Sequence, residues 1–306
     1  MHPVLALIIA NTIWGAASPI FKLALENIPP FTLAFIRFYF AALLFFPFIR
    51  FEPLRALSKK EWFLLFLGAF LTISLNIVFF FLGLQRTQSI NAPIIASAAP
   101  LFLFLGSIFV LKEKPTFRVL VGMTISFLGV LIIIFIPYFL KEGTFQAKDE
   151  LLGNMLFVGS VLANIAGTLV LKKVMDKVSP LVVTGSGFLF SAVTFAPFMI
   201  VEFQTWDISM LNGAGWLGIV FGVFFSSAAA YFLYYYGISK IKAQEVGVFS
   251  YLDPVVGVLL AALLLHEYPT LYFFIGSVFV FGGILIAQRR IPYHPFRRLK
   301  ETVWPL

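Results

Sequence analysis

Residues 113–129 read EKPTFRVLVGMTISFLG, and residues 267–283 read EYPTLYFFIGSVFVFGG. The second stretch repeats the first at a shift of 154 positions: Glu113 falls on Glu267, Pro115-Thr116 on Pro269-Thr270, Gly122 on Gly276 and Gly129 on Gly283. The register runs backwards without a gap, with Trp62 on Trp216, Gly68 on Gly222, Gly83 on Gly237 and Pro100 on Pro254. Nearer the N-terminus the shift becomes 150, which sets Lys22 on Lys172, Pro30 on Pro180 and Pro47-Phe48 on Pro197-Phe198. The matched residues are mainly Gly, Pro, Trp and Glu rather than the common Leu and Phe, so chance is a weak explanation. The chain is two copies of one unit.

Both copies are built for lipid. Of 306 residues, 60% are hydrophobic and 12% charged, and mean hydropathy is +0.98. A soluble domain carries about a quarter charged residues. The deficit excludes a soluble enzyme, a disordered chain and an ordinary nucleic-acid binder. Crossing about 30 Å of hydrocarbon takes about 20 apolar residues. Charge-free stretches of that kind are Met1–Phe21, Trp62–Gln85, Thr87–Leu111, Val119–Leu140, Leu151–Leu171, Val178–Val201, Ile208–Ser239 and Tyr268–Gln288. Two more carry one interior charge each, Thr32–Ile49 with Arg37 and Val246–Leu265 with Asp253. The runs are too long and too evenly apolar for barrel strands. The first reads as a bundle helix rather than a cleavable signal, for lack of a basic leader and a cleavage site. The expected fold is an all-α membrane protein of ten transmembrane helices.

Five helices per unit is an odd number, so the second unit enters the membrane from the opposite side. Glu113 then ends helix four on the inner side, while Glu267 ends helix nine on the outer side. The ten helices form two inverted five-helix repeats, residues 1–148 and 149–306, the second with a short basic tail. Of the 22 Lys and Arg residues, 17 fall in the even loops and the tail, which sets both termini in the cytoplasm. The formal charge of +8 is read as this topology signal, with contact to anionic lipid, and not as a nucleic-acid site. Inverted repeats suit alternating access to a site near the midplane between the halves.

The pattern resembles the EamA branch of the drug/metabolite transporter superfamily over essentially the whole chain. The resemblance rests on Trp14-Gly15 with Pro19 and Lys22, on Arg37, on the Gly83 to Pro100 segment, and on Glu113, Gly122 and Gly129 with their second-half counterparts. It implies ten helices, an inner (plasma) membrane of bacterial type, and export of amino acids or other small metabolites. Helix six departs from it, carrying Asn154 and Asn164 where helix one has its Trp-Gly pair.

Candidate site residues are the polar and charged groups inside the spans. Arg37 lies about 8 Å inside helix two. Its stem is long enough to snorkel to the interface, and the alternative is an anchor for a substrate carboxylate or a charge relay. Asp253 has no such stem, and with Pro254 beside it is a candidate proton or substrate relay, with a buried, hydrogen-bonded structural carboxylate as the equal alternative. The position matching it is Ala99, so the fold does not demand a carboxylate. Trp14, with Asn11 and Ser18 on one face, is the single tryptophan expected near mid-membrane. Trp62, Trp206 and Trp216 fall near span ends, as interfacial anchors do.

Further polar positions are Asn76, Ser97, Ser160, Asn164, Thr168, Ser227, Tyr231, Tyr235, Ser250 and Tyr251. Each alone reads more readily as interhelical hydrogen bonding than as ligand contact. Together they outline a shared cavity for a neutral or zwitterionic solute, with Pro100 and Pro254 as bend points. A polyanion would need several cationic groups in the core.

The three histidines have no metal-ligand spacing, and no phosphate loop or nucleophile elbow occurs. No metal and no cofactor is expected. The expected partners are a small-molecule substrate and the lipid bilayer, with no nucleic acid and the oligomeric state open. Two alternatives remain at this point: an uncoupled facilitator, and a membrane enzyme or non-transporting subunit.

Overall fold

The computed structural model describes residues 2–49, 57–99, 117–140, 144–171, 173–174, 177–238 and 249–288. Among these residues every regular element is helical, and the helices group into ten. The first five are α1 (Pro3–Ala24), α2 (Pro30–Phe45), α3 (Lys59–Ala69 through Asn76–Leu84), α4 (Asn91–Ser97) and α5 (Phe117–Leu140). The second five are α6 (Phe145–Leu171), α7 (Pro180–Glu202), α8 (Gly213–Val220 through Ala230–Ile238), α9 (Leu252–Leu265) and α10 (Leu271–Gln288). Seven are long and apolar enough to span a membrane, and the α9 and α10 segments are shorter apolar helices. This is a multi-pass membrane protein. Large apolar side chains such as Val193, Leu263 and Phe274 are exposed on its periphery, as a lipid-facing surface requires.

Helix starts follow local chemistry. Pro opens α1, α2 and α7, where its missing N–H costs no intrahelical bond. Ser58 and Glu61 form a reciprocal capping box on α3. Asn212 caps α8 by accepting from the Ala214 and Gly215 N–H groups. The α2 start is capped from another helix: Glu202, at the end of α7, accepts from the Phe31 and Thr32 N–H groups at 3.2 and 2.6 Å.

The packing is reciprocal about a two-fold relation. Helix α1 of the first unit lies against α8 and α9, and α6 of the second lies against α3 and α4. Helices α2 and α7 pair, as do α5 and α10. The glycines of the opening repeat set the last pairing. A Cβ on Gly129 would meet the Gly276 carbonyl at 2.5 Å, and one on Gly283 would strike the Gly122 carbonyl. Each glycine thus meets the counterpart of its partner's match, as an isologous contact requires.

Several boundaries differ from those expected. Helix α6 begins at Phe145, six residues before Leu151 and through Lys148 and Glu150. Helix α4 begins at Asn91, so Thr87 to Ile90 form a turn. Helix α9 begins at Leu252, after a 3₁₀ turn at Phe249–Tyr251, so Pro254 stands in its first turn. There a proline is tolerated because the first N–H groups have no helical acceptor. Pro100, Glu113, Lys172 and the basic tail lie outside the described residues.

Both α3 and α8 contain a π-helical segment, Phe70–Leu75 and Phe221–Ala229. The shift of 154 makes the two overlap. Such widened turns recur at functional positions in helices.

Candidate functional site

Helix α1 crosses the contact between the two units, and the site is built around it. Trp14 stacks edge-on against Tyr231 at 5.2 Å and lies tilted against Tyr234 at 5.0 Å. Its indole N–H donates to the Ser226 carbonyl at 3.1 Å. That carbonyl is accessible because of the π segment. In a regular turn it would accept from the Ala230 N–H, but that N–H is directed to Phe225 and Ser227 instead.

Arg37, on α2, enters the same segment. Its Nε donates to Ser227 Oγ at 2.8 Å and its Nη2 to Ser226 Oγ at 3.1 Å. The guanidinium lies 4.8 Å from the ring centres of both Phe21 and Phe38. At 5% exposure it does not snorkel, which corrects the interfacial reading of its stem. The hydroxyls and ring faces on α8, α1 and α2 hold it inward. Among the described residues no carboxylate stands within 4 Å of it.

On the opposite side of α1, a Cβ on Gly15 would come within 2.7 Å of the Asp253 carbonyl, and one on Gly257 within 3.2 Å of the Gly15 carbonyl. Glycine here lets two backbones touch. Asp253, in the first turn of α9, has a buried Oδ1 without a hydrogen-bond partner, and Ser18 Oγ is likewise buried and unpartnered.

A second cluster closes the end of the bundle where α1 finishes, here the distal end. Lys22 Nζ meets Glu267 Oε1 at 2.5 Å and donates to the Thr87 carbonyl at 2.6 Å. Glu267 Oε2 accepts from the Ser89 N–H and hydroxyl, both at 2.7 Å. The Thr87 hydroxyl and the Asn91 amide donate to Asn154 Oδ1 on α6, at 3.1 and 2.9 Å. His266, at φ 54°, is the only non-glycine residue with positive φ among those described. This left-handed turn ends α9 and directs Glu267 back into the bundle. Thr87, Asn91 and Asn154 also line a small cleft of about 30 Å³.

The other expected site residues divide. Asn76 donates to the Ser160 carbonyl and hydroxyl at 2.9 and 2.8 Å, joining α3 to α6. Asn11 and Ser97 bond their own helices, to Leu7 and Ile94 carbonyls. Asn164 and Thr168 are exposed on α6, with the Thr168 hydroxyl on the Asn164 carbonyl. Tyr251 packs edge-on against Phe281 at 5.7 Å. The side chains of Tyr235 and Ser250 lie outside the described set. Trp206 is no exposed anchor: it is 7% exposed and donates to the Asn27 carbonyl.

Sequence reasoning missed Ser226 and the pairing of Lys22 with Glu267. The first has no signal without the π segment. The second had one, since both are charges bordering apolar spans at the same side of the membrane.

The family model described as "EamA-like transporter family" matches residues 1–135 and 151–288. The chain is 30% identical over 289 residues to "Uncharacterized transporter YetK" of Bacillus subtilis (strain 168), covering 94% of this chain and 87% of that one. It is 26% identical over 297 residues to "Probable amino-acid metabolite efflux pump" of Escherichia coli (strain K12), covering 92% and 93%. A solved structure described as "Crystal structure of protein" superposes with a TM-score of 0.64 at 18% identity, over 94% of this chain and 99% of that one, a likeness of fold.

Proposed function

The chain belongs to the EamA-like transporter family, and we propose that it is a secondary transporter exporting amino acids or related small metabolites by alternating access. The distal end faces outward and both termini lie in the cytoplasm, in agreement with the bias of basic residues. Solute binds between the units beside Trp14. The observation that carries this reading is that α1 of one unit is held by the other at two levels. Mid-helix, Trp14 rests on the α8 carbonyl of Ser226. At its end, Lys22 is paired with Glu267. Release of the second contact, with rocking about the first, opens the distal end. Small residues at the α1–α9 and α5–α10 contacts permit such sliding. The efflux-pump relatives support the direction and solute class.

Asp253 is the coupling group in this scheme, because its orphaned oxygen has no structural partner and intramembrane carboxylates commonly serve proton relays. Purified protein in sealed liposomes, loaded with a panel of labelled amino acids, tests both parts. Transport of at least one solute driven by a pH gradient is expected. Asp253→Asn should remove the gradient dependence and spare solute exchange. Gradient dependence unchanged in that variant makes the carboxylate structural, and transport indifferent to pH in both proteins indicates a facilitator.

A further inference from the structure

We infer that Arg37 is the residue that receives a carboxylate of the transported solute, which rests on the transport reading above. A guanidinium carries five N–H donors. Among the described residues Arg37 uses two, on the Ser226 and Ser227 hydroxyls. Those acceptors are neutral, and among the described residues no carboxylate lies within salt-bridge distance, so the charge is buried there without a counter-ion. A buried charge is strongly disfavoured unless it is paired, and ionisable groups inside a membrane span are commonly functional.

The fold does not need the charge. The position matching Arg37 in the second unit is Gly187, where a Cβ would meet Ile73 at 2.9 Å. On that side the α3–α7 contact is made by a neutral hydroxyl pair, Ser74 to Ser191 at 3.0 Å. The same packing is therefore achieved once with a cation and once without. The second unit makes room for it from α8: a Cβ on Gly222 would come within 3.3 Å of both Cγ and Cδ of Arg37.

The surroundings specify the anion. One cation fits one carboxylate, which a guanidinium can grip with two parallel hydrogen bonds. A phosphate or dicarboxylate would ask for more positive charge than the described residues bring to this site. The serine that Arg37 contacts through Oγ also accepts the Trp14 indole through its carbonyl. A solute held at Arg37 thus has the Trp14 and Tyr231 rings beside it, suited to an apolar body. The chemical class is a monocarboxylate with an uncharged apolar or aromatic remainder, a zwitterionic amino acid included.

Thermal stabilisation of the detergent-solubilised full chain, read without transport, tests this. The twenty common L-amino acids are screened, and the strongest stabiliser is compared with its carboxamide. The expected result is at least tenfold weaker apparent affinity for the amide on the wild type. Arg37→Gln should remove that preference. Arg37→Lys, which retains the charge but not the planar fork, should keep a reduced preference and serves if the glutamine variant does not fold. Equal affinity for acid and amide on the wild type overturns the inference, as does an unchanged preference in either variant. Transport in liposomes of solutes that lack a carboxylate, with no amino acid bound, overturns the inference and leaves the transporter reading standing. Absence of any transport defeats that reading instead.

Discussion

The Lys22–Glu267 cluster and the Arg37 environment both bury charge, and they do so in opposite ways. At the distal end the lysine has a carboxylate partner and a backbone carbonyl. Its carboxylate partner has both oxygens occupied. At mid-span the arginine has two hydroxyls, two aromatic faces and, among the described residues, no acid. The first arrangement is neutralised within the protein. It joins α1 to the turn before α4 and the end of α9, so it holds a conformation. The second leaves guanidinium donors unused among the described residues. On the reading proposed above, the charge neutralised by the chain is a latch and the one left to neutral groups a receptor.

The sharpest way to break the contrast is to remove one member of the neutralised pair. Glu267→Gln leaves Lys22 without its counter-charge and should destabilise the protein by about 3 kcal/mol, the lower part of the range for broken buried pairs because Lys22 keeps some water. Adding Lys22→Met to that variant should recover more than half of the loss. Equilibrium unfolding in detergent measures both, and a double variant no better than the single one would mean that the pair is not the unit of stability. Distal access, read as labelling of an engineered outer-loop cysteine, should rise in both variants.

The mid-span group should respond less. Ser227→Ala removes one hydrogen bond to a charged donor, a change of about 1.5 kcal/mol in the same measurement. A loss as large as that of Glu267→Gln would show that the hydroxyl, not a ligand, is the group Arg37 depends on. The smallest effect is expected from Trp14→Phe, which keeps the ring against Tyr231 and Tyr234 but cannot donate to Ser226. Interhelical hydrogen bonds in membranes contribute about 0.6 kcal/mol on average, so stability should barely change. If the indole positions the π segment, transport per folded molecule should fall nonetheless. Normal transport would leave Trp14 as packing alone.

The glycines of the opening repeat were legible in the sequence as small residues, and the structure shows the reciprocal crossing of α5 and α10 that uses them. Asn164 and Thr168 had the same helical spacing as the α1 face and matched Trp14 and Ser18 at the shift of 150, and they are accessible where Ser18 is buried. Spacing specifies which residues share a face of a helix, but the neighbouring helix determines what that face meets. For Asn76 the neighbour is Ser160, so two expected cavity residues satisfy each other.

The sequence by itself determined that this is a ten-helix membrane protein built from two related units. Hydropathy, span length and the recurrence of Gly, Pro and Glu are properties of contiguous residues, and a bilayer imposes its constraint segment by segment. Tertiary structure alone decided which charges are matched. Lys22 meets Glu267, and Arg37 meets Ser226 and Ser227, across sequence separations of about 190 to 245 residues. Helix rotation, register and local widening are set by how neighbouring helices fit, and no single span carries that information.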